Sequence, residues 1–166
     1  LYAKGSMYKK YNGNLLFHGC VPLNKDGSFR KVKIFGEEYC GKALYDVLDR
    51  YARKAYFSND PEEKNKSANL LWYSWTNQNS PVFGKEKMTT FERYFVAEKA
   101  THKEPKNPYY YWYENEEVVN HIFTDFGLPM EDGHIINGHI PVESKKGESP
   151  IKCNGKLLVI DGGFSK

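Results

Sequence analysis

Short aliphatic runs between turn-forming residues predict strands near both ends of the chain. Residues 15–17 read Leu-Leu-Phe, and residues 135–136 and 157–160 consist of isoleucine, leucine and valine. Each run is too short for a helix and is bounded by glycine, asparagine or lysine, which is typical of a buried strand. Residues 28–35 alternate between polar and apolar side chains and predict one more strand.

The middle of the chain has apolar residues at helical spacing and predicts four helices. The first spans residues 43–57, and the second begins at Asp60, a capping residue, and ends before Pro81. The third begins at Thr89, and the fourth ends at Gly127. The apolar faces of the four helices are expected to consist of Leu44, Val47, Leu48, Tyr51 and Ala55; of Ala68, Leu71, Trp72 and Trp75; of Phe91, Tyr94 and Phe95; and of Val118, Val119, Ile122, Phe123 and Phe126.

Strands at both ends that enclose a helical middle predict an α/β fold of the mixed α+β kind, with one mixed sheet and a helical insert. The chain has 166 residues and 40% hydrophobic content, which suits one domain with a sizeable core. Residues 99–108 are expected to form an exposed loop.

Composition excludes some classes of function. The net charge is +3, and the basic residues are scattered among 21 acidic ones, so the sequence does not favour nucleic acid as a partner. No apolar run approaches the length of a membrane span. Three widely spaced cysteines without a CxxC motif indicate reduced thiols and a cytoplasmic protein.

Two histidines next to glycine follow predicted strands. His18-Gly19 comes directly after residues 15–17, and Gly138-His139 follows residues 135–136. A single histidine is more often structural than a ligand, but two such units suggest a shared site, because ligands converge at the ends of strands in layered α/β folds. A histidine held by a turn has a fixed ring orientation, and a metal ligand needs one.

The residues around these histidines resemble a known superfamily. LLFHGC, NGHIP and VIDGG are similar to motifs of the calcineurin-like metallophosphatases. The longer segments HGCVPLNKDGSF, KALYDVLDRYARK, NPYY, HIINGHIPV and GESPIKCNGKLLVIDGGFSK together resemble the class III fructose-1,6-bisphosphatases of Gram-positive bacteria. The resemblance covers nearly the whole chain.

This resemblance implies a function. The family is expected to use a pair of divalent metals, commonly manganese (Mn2+), to hydrolyse the 1-phosphate of fructose 1,6-bisphosphate in cytoplasmic gluconeogenesis. His18 and His139 would be two ligands of one metal. The small-molecule partner would be the sugar bisphosphate, with no nucleic acid and no membrane.

Several motifs that the resemblance requires are missing from these 166 residues. The aspartate-x-histidine, G-D-x-x-D-R and G-N-H motifs of the family would lie upstream. Residues 1–166 are therefore expected to be the C-terminal portion of a metallophosphatase domain, part of a two-sheet sandwich, with no catalytic residue of their own and no activity alone. Sheet edges left bare would favour self-association.

Other residues near the two histidines allow two interpretations. Asn137 could bind a ligand or shape its turn, and Asp161 could support the metal site or cap the turn with Gly162 and Gly163. Cys20 could be a thiolate ligand or a small buried residue. Residues 132–134 spell Asp-Gly-His, but they follow the end of a helix and stand in the wrong order for the family motif.

Two further functions stay open on the sequence. One is another calcineurin-like phosphatase, acting on proteins or dinucleotides. The other is a non-catalytic carbohydrate-binding module, in which the aromatic run 109–113 stacks on a sugar ring; packing in the core is the commoner role of such a run.

Overall fold

A mixed sheet carries both histidine-bearing strands. The computed structural model of the chain describes residues 2–161, and within that range the sheet contains five strands in the order β1-β2-β5-β7-β6. Its strands are β1 (Tyr8–Tyr11), β2 (Asn14–Phe17), β5 (His134–Asn137), β6 (Ile151–Lys152) and β7 (Leu157–Val159). β5 lies parallel to both β2 and β7, whereas β1 and β6 are antiparallel to their neighbours.

The helical middle and a small hairpin separate β2 from β5 in sequence. The hairpin consists of β3 (Val32–Ile34) and β4 (Glu37–Tyr39). The helices are α1 (Gly41–Phe57), α2 (Pro61–Thr76), α3 (Thr90–Phe95), α4 (Tyr109–Trp112) and α5 (Glu116–Phe126). Parallel strands need a long crossover connection, and this insert provides the one between β2 and β5. The predicted α/β class with a mixed sheet and a helical insert is confirmed.

Two apolar clusters hold these elements together. The larger one packs α5 against the sheet through fully buried residues such as Leu15, Ile122, Phe123, Ile135 and Leu157. The smaller one packs the β3–β4 hairpin on α1 and α2. Among the described helices, none is both long enough and apolar enough to cross a bilayer.

The predicted end of the last helix is confirmed in detail. Asn115 caps α5 by accepting a hydrogen bond from the Val118 N–H. At the other end Gly127 has a φ of 64°, in the left-handed region, and its N–H donates to the last turn of the helix. Glycine takes this conformation without a steric penalty, so the sequence signal and the structure agree.

The predicted apolar face of α2 is wrong. Trp72 and Trp75 are 71% and 69% exposed, and the buried residues are Ser67, Leu70 and Ser74. Small serines allow α2 to lie close to α1, and the Ser74 hydroxyl is satisfied because it donates to the Leu70 carbonyl oxygen at 3.0 Å. A prediction based on hydrophobicity alone therefore assigned the wrong face of α2 to the core.

The predicted apolar face of α3 is also wrong, because Phe91, Tyr94 and Phe95 are all exposed and α3 has no buried residue.

Other differences are smaller. The strand predicted over 28–35 is limited to β3, and Phe29 forms an isolated bridge with Leu23 instead. The N-terminal strand β1 was not predicted, because its sequence Tyr-Lys-Lys-Tyr lacks an apolar alternation. In the predicted loop 99–108, residues 99–102 form a 3-10 turn, and Asn107 and Pro108 are buried.

The packing of α2 makes a testable prediction. Leu70→Ala should lower the free energy of unfolding of the 166-residue chain by about 2–4 kcal/mol, because it leaves a cavity between α1 and α2. Trp72→Ala should change it by less than about 0.5 kcal/mol, because the indole is mostly exposed. Urea unfolding of both variants measures the difference, and a larger loss in Trp72→Ala would contradict the observed orientation of α2.

Candidate metal centre

The structure brings His18 and His139 into contact. Phe17 of β2 is paired in parallel with Asn137 of β5, and His18 and His139 follow these strand ends by one and two residues. The Nδ1 atom of His139 lies 2.9 Å from the Nε2 atom of His18, and the two rings are nearly perpendicular at 79°. Two residues separated by 121 positions in sequence thus have ring nitrogens within hydrogen-bond distance of each other.

The buried amide of Asn137 joins the two turns that carry the histidines. Its Nδ2 donates to the Gly19 carbonyl oxygen at 3.0 Å, and its Oδ1 accepts from the Tyr109 hydroxyl at 3.4 Å. The backbone N–H of Gly138 donates to the His18 carbonyl oxygen at 3.0 Å. Asn137 is fully buried, so of its two interpretations the structure favours the shaping of the turn.

A third segment, residues 80–85, packs against the turns that carry both histidines, and the sequence analysis missed it. The Cys20 N–H donates to the Pro81 carbonyl oxygen at 2.9 Å, and a ring nitrogen of His139, Nε2, lies 2.8 Å from the Phe83 carbonyl oxygen. Gly84 backs the imidazole, since a Cβ there would lie 2.7 Å from the Cδ2 atom of His139. The only local signal was a proline and a glycine around two apolar residues, which is not specific.

The contact with Phe83 determines which nitrogen of His139 carries the proton. A carbonyl oxygen only accepts hydrogen bonds, so Nε2 must be the protonated nitrogen. In the neutral ring the lone pair is then on Nδ1, the atom that faces His18. Metal-binding histidines are commonly oriented in this way by a carbonyl group on the opposite nitrogen.

The surroundings of His139 favour its neutral form. Burial lowers the pKa of its imidazole, and His18 and Lys85 lower it further, while the Phe83 carbonyl group and Asp161 act in the opposite direction. A neutral imidazole is the form that binds a metal. Its backbone has a φ of 72°, an unusual value for a residue with a side chain.

Asp161 lies at the same edge of the sheet as the histidines. It follows the end of β7, where the Ile160 N–H donates to the Asn137 carbonyl oxygen at 2.8 Å. A Cβ on Gly138 would lie 3.7 Å from the Oδ2 atom of Asp161, so this carboxylate borders the turn that leads to His139. Gly162 and Gly163, with which it was expected to cap a turn, lie outside the described residues.

The other candidates do not contribute a ligand beside the two histidines. Cys20 is fully buried, and burial raises the pKa of its thiol strongly, which suits a packed thiol and not a thiolate ligand. His134 opens β5 and Asp132 precedes it, so both lie at the opposite end of that strand from His139. Tyr109 and Tyr110 pack edge-to-face in the core, which leaves them unavailable for stacking on a sugar.

The two imidazoles fit one edge of a metal site but do not complete it. Two nitrogens bound at neighbouring positions of one ion lie about 3 Å apart when each bond is about 2.1 Å, close to the observed separation. Within residues 2–161, no group of three or more histidine, cysteine, aspartate or glutamate side chains could hold a metal ion.

Residues 85–106 follow Gly84, which packs against His139, and backbone contacts join the two ends of this segment. The backbones of Lys85 and Lys106 form an isolated antiparallel β-bridge between its two ends. The Asn107 N–H also donates to the Gly84 carbonyl oxygen at 3.0 Å. The Glu104 carboxylate lies 2.6 Å from the Lys85 ammonium and accepts a hydrogen bond from the Thr89 N–H at 2.9 Å. We call residues 85–106 the clamped segment.

A mixed α/β sheet with two imidazoles converging at its carboxyl edge is compatible with a metal-dependent hydrolase, and comparison with known proteins specifies the family. The Firmicute fructose-1,6-bisphosphatase family model matches residues 1–166, so the chain belongs to that family. It is 58% identical to a class 3 fructose-1,6-bisphosphatase of Clostridium tetani and 59% identical to one of Clostridium botulinum.

These matches cover all of this chain but only 25% of each relative. The chain therefore spans about a quarter of the length of the curated relatives it matches. No solved structure matches the chain significantly.

The close contact at Gly19 makes a prediction. A methyl group on Gly19 would overlap the Pro81 carbonyl oxygen, whereas one on Gly138 would make only ordinary contacts with Asp161. Gly19→Ala should therefore displace residues 80–85 and destabilise the chain by about 1–3 kcal/mol, and Gly138→Ala by less. Denaturant unfolding compares the two variants, and equal stability would show that the 80–85 segment does not need its close approach to Gly19.

The Glu104 contacts make a prediction about pH. Lys85 and the Thr89 N–H hold the pKa of Glu104 at about 2, below its ordinary value of about 4.3 in an unfolded chain. This contribution to stability is complete above the unfolded pKa and is lost as the pH falls toward 2. Between pH 5 and pH 3, the free energy of unfolding should fall by less in Glu104→Gln than in the wild type. Parallel curves for the two proteins would contradict the assignment.

Proposed function

We propose that this chain is the part of a fructose-1,6-bisphosphatase that supplies two histidine ligands to a divalent metal pair. The protein would convert fructose 1,6-bisphosphate to fructose 6-phosphate and phosphate by hydrolysis of the 1-phosphate. The observation that carries this proposal is the family match over the entire chain, together with relatives named class 3 fructose-1,6-bisphosphatase. Gluconeogenesis in the cytoplasm is the setting that this activity implies.

His18 and His139 would hold one of the two metals through Nε2 and Nδ1, the two nitrogens that face each other. When bound, the metal pair would lower the pKa of a water nucleophile and neutralise the phosphate oxygens. Manganese suits this role because it accepts imidazole together with oxygen ligands. The remaining ligands are proposed to lie outside this chain, since residues 2–161 contain no group of three or more.

The other proposed role of this chain is to hold the two histidines in position and to support a bound metal. Phe83 fixes the tautomer of His139, and Asn137 keeps both turns in register with their strands. Asp161, at the same edge, would support the charge of a bound metal from outside the ligand set. None of these groups transfers a proton to a substrate, so we assign no catalytic residue to this chain and expect no activity from it alone.

The partners follow from the same proposal. The partner would be a sugar bisphosphate, with no role for nucleic acid or a membrane. Self-association through the edge strand β1 is also proposed, because β1 pairs on one side only within the described sheet.

The metal ligands can be tested in a protein that extends this chain to the length of its relatives. His18→Ala and His139→Ala should each lower manganese-dependent hydrolysis of fructose 1,6-bisphosphate at least about 100-fold and weaken manganese binding measured by calorimetry. His134→Gln is the matched control, because that histidine lies at the opposite end of β5. An equal loss in the control would move the site to residues 132–134.

The dependence on upstream residues can be tested separately. The 166-residue chain with manganese should not hydrolyse fructose 1,6-bisphosphate, whereas the extended protein should, and a chelator should abolish that activity. Activity of the 166-residue chain would contradict the proposal that its metal site is incomplete.

A further inference from the structure

A groove with a surplus of positive charge lies beside the histidine pair. It encloses about 630 Å³, a volume in the range of small-molecule sites. Four cationic side chains of the clamped segment line it, and so do Ile140 and Pro141, which directly follow His139. These four are Lys85, Arg93, Lys103 and Lys106. The groove is thus continuous with the turn that carries a proposed metal ligand.

The positive charge of the groove is only partly compensated. Two carboxylates also line it, and both are engaged: Glu104 with Lys85 at 2.6 Å, and Glu143 with Lys146 at 2.8 Å. Within residues 2–161, neither Lys103 nor Lys106 has an ion-pair partner, and both are exposed. Three cations of the groove are therefore available to an anion.

Arg93 is held in place by side-chain hydrogen bonds. Its Nε donates to the Thr89 hydroxyl and one terminal nitrogen donates to the His102 carbonyl oxygen, both at 3.2 Å. Thr89 is itself fully buried, and its hydroxyl donates a hydrogen bond to Glu104. The Arg93 guanidinium is therefore held by a well-anchored residue of the clamped segment. A positioned guanidinium with free N–H groups is well suited to bind a phosphate group.

The position of the groove indicates which phosphate it would bind. Gly84 packs against the His139 ring, and its neighbour Lys85 lines the groove, so the groove lies next to the proposed metal ligand. A phosphate at the metals would be neutralised by them, and a second phosphate on the same molecule would need a separate source of positive charge. The groove offers such a source beside the turn that carries His139.

Resting on the proposed function, we propose that Arg93, Lys103 and Lys106 bind the second, non-reacting phosphate of the sugar bisphosphate. The groove would then be the element that distinguishes a bisphosphate from a sugar with a single phosphate. A separate phosphorylated ligand could use the same chemistry, and the choice of substrates in the experiment separates the two sources.

The experiment compares two substrates in the extended protein with manganese. The substrates are fructose 1,6-bisphosphate and fructose 1-phosphate, which lacks the second phosphate. In the double variant Lys103→Gln/Lys106→Gln, the ratio of kcat/KM for the bisphosphate to that for the monophosphate should fall about tenfold. Arg93→Gln should lower the same ratio, and Lys99→Gln, on the clamped segment but outside the groove, is the matched control.

The outcomes separate this inference from the proposed function. A wild-type ratio in both the double variant and Arg93→Gln overturns the groove proposal, whether or not a separate phosphorylated ligand binds there, and it leaves the proposed function intact. If the wild-type extended protein hydrolyses neither substrate, the proposed function fails. The groove is then judged by equilibrium binding of fructose 1,6-bisphosphate, which the double variant should weaken about tenfold and which an unchanged affinity would exclude.

Discussion

The parallel pairing of β2 with β5 is the constraint on which the site depends. Because Phe17 lies opposite Asn137, the chain leaves both strands at the same edge of the sheet, and residues 121 positions apart in sequence become neighbours. A slip of the register by one residue would turn every side chain of β5 to the other face. The buried amide of Asn137 opposes such a slip, since the slip would break its hydrogen bond to the Gly19 carbonyl oxygen.

A second level of control comes from the helical insert between these strands. The insert returns to the sheet edge at residues 80–85, where Phe83 holds the outer nitrogen of His139 and Pro81 approaches Gly19 too closely for any side chain. The same loop leads into the clamped segment and its cations. The insert between β2 and β5 therefore orients a proposed metal ligand and also places positive charge beside the turn that carries it.

The sequence was informative where structure is determined locally. The strand runs, the end of α5 at Gly127 and the two histidine-glycine units are visible in short windows, and the structure has them as expected. The face of α2 was not predictable in this way, because Ser67 and Ser74 are buried for their small size and not for their hydrophobicity. Phe83 was missed for a different reason: it contributes a backbone carbonyl oxygen, which no residue type encodes.

The left-handed backbone of His139 has a consequence for the evolution of this turn. At a φ of 72° a residue with a Cβ is disfavoured relative to glycine by roughly 1 kcal/mol. Selection for folding alone would therefore favour glycine at this position, as it does at Gly84 and Gly127. An imidazole at this φ therefore carries a conformational cost that glycine would not, and a lineage in which His139 binds no ligand is expected to drift toward glycine here.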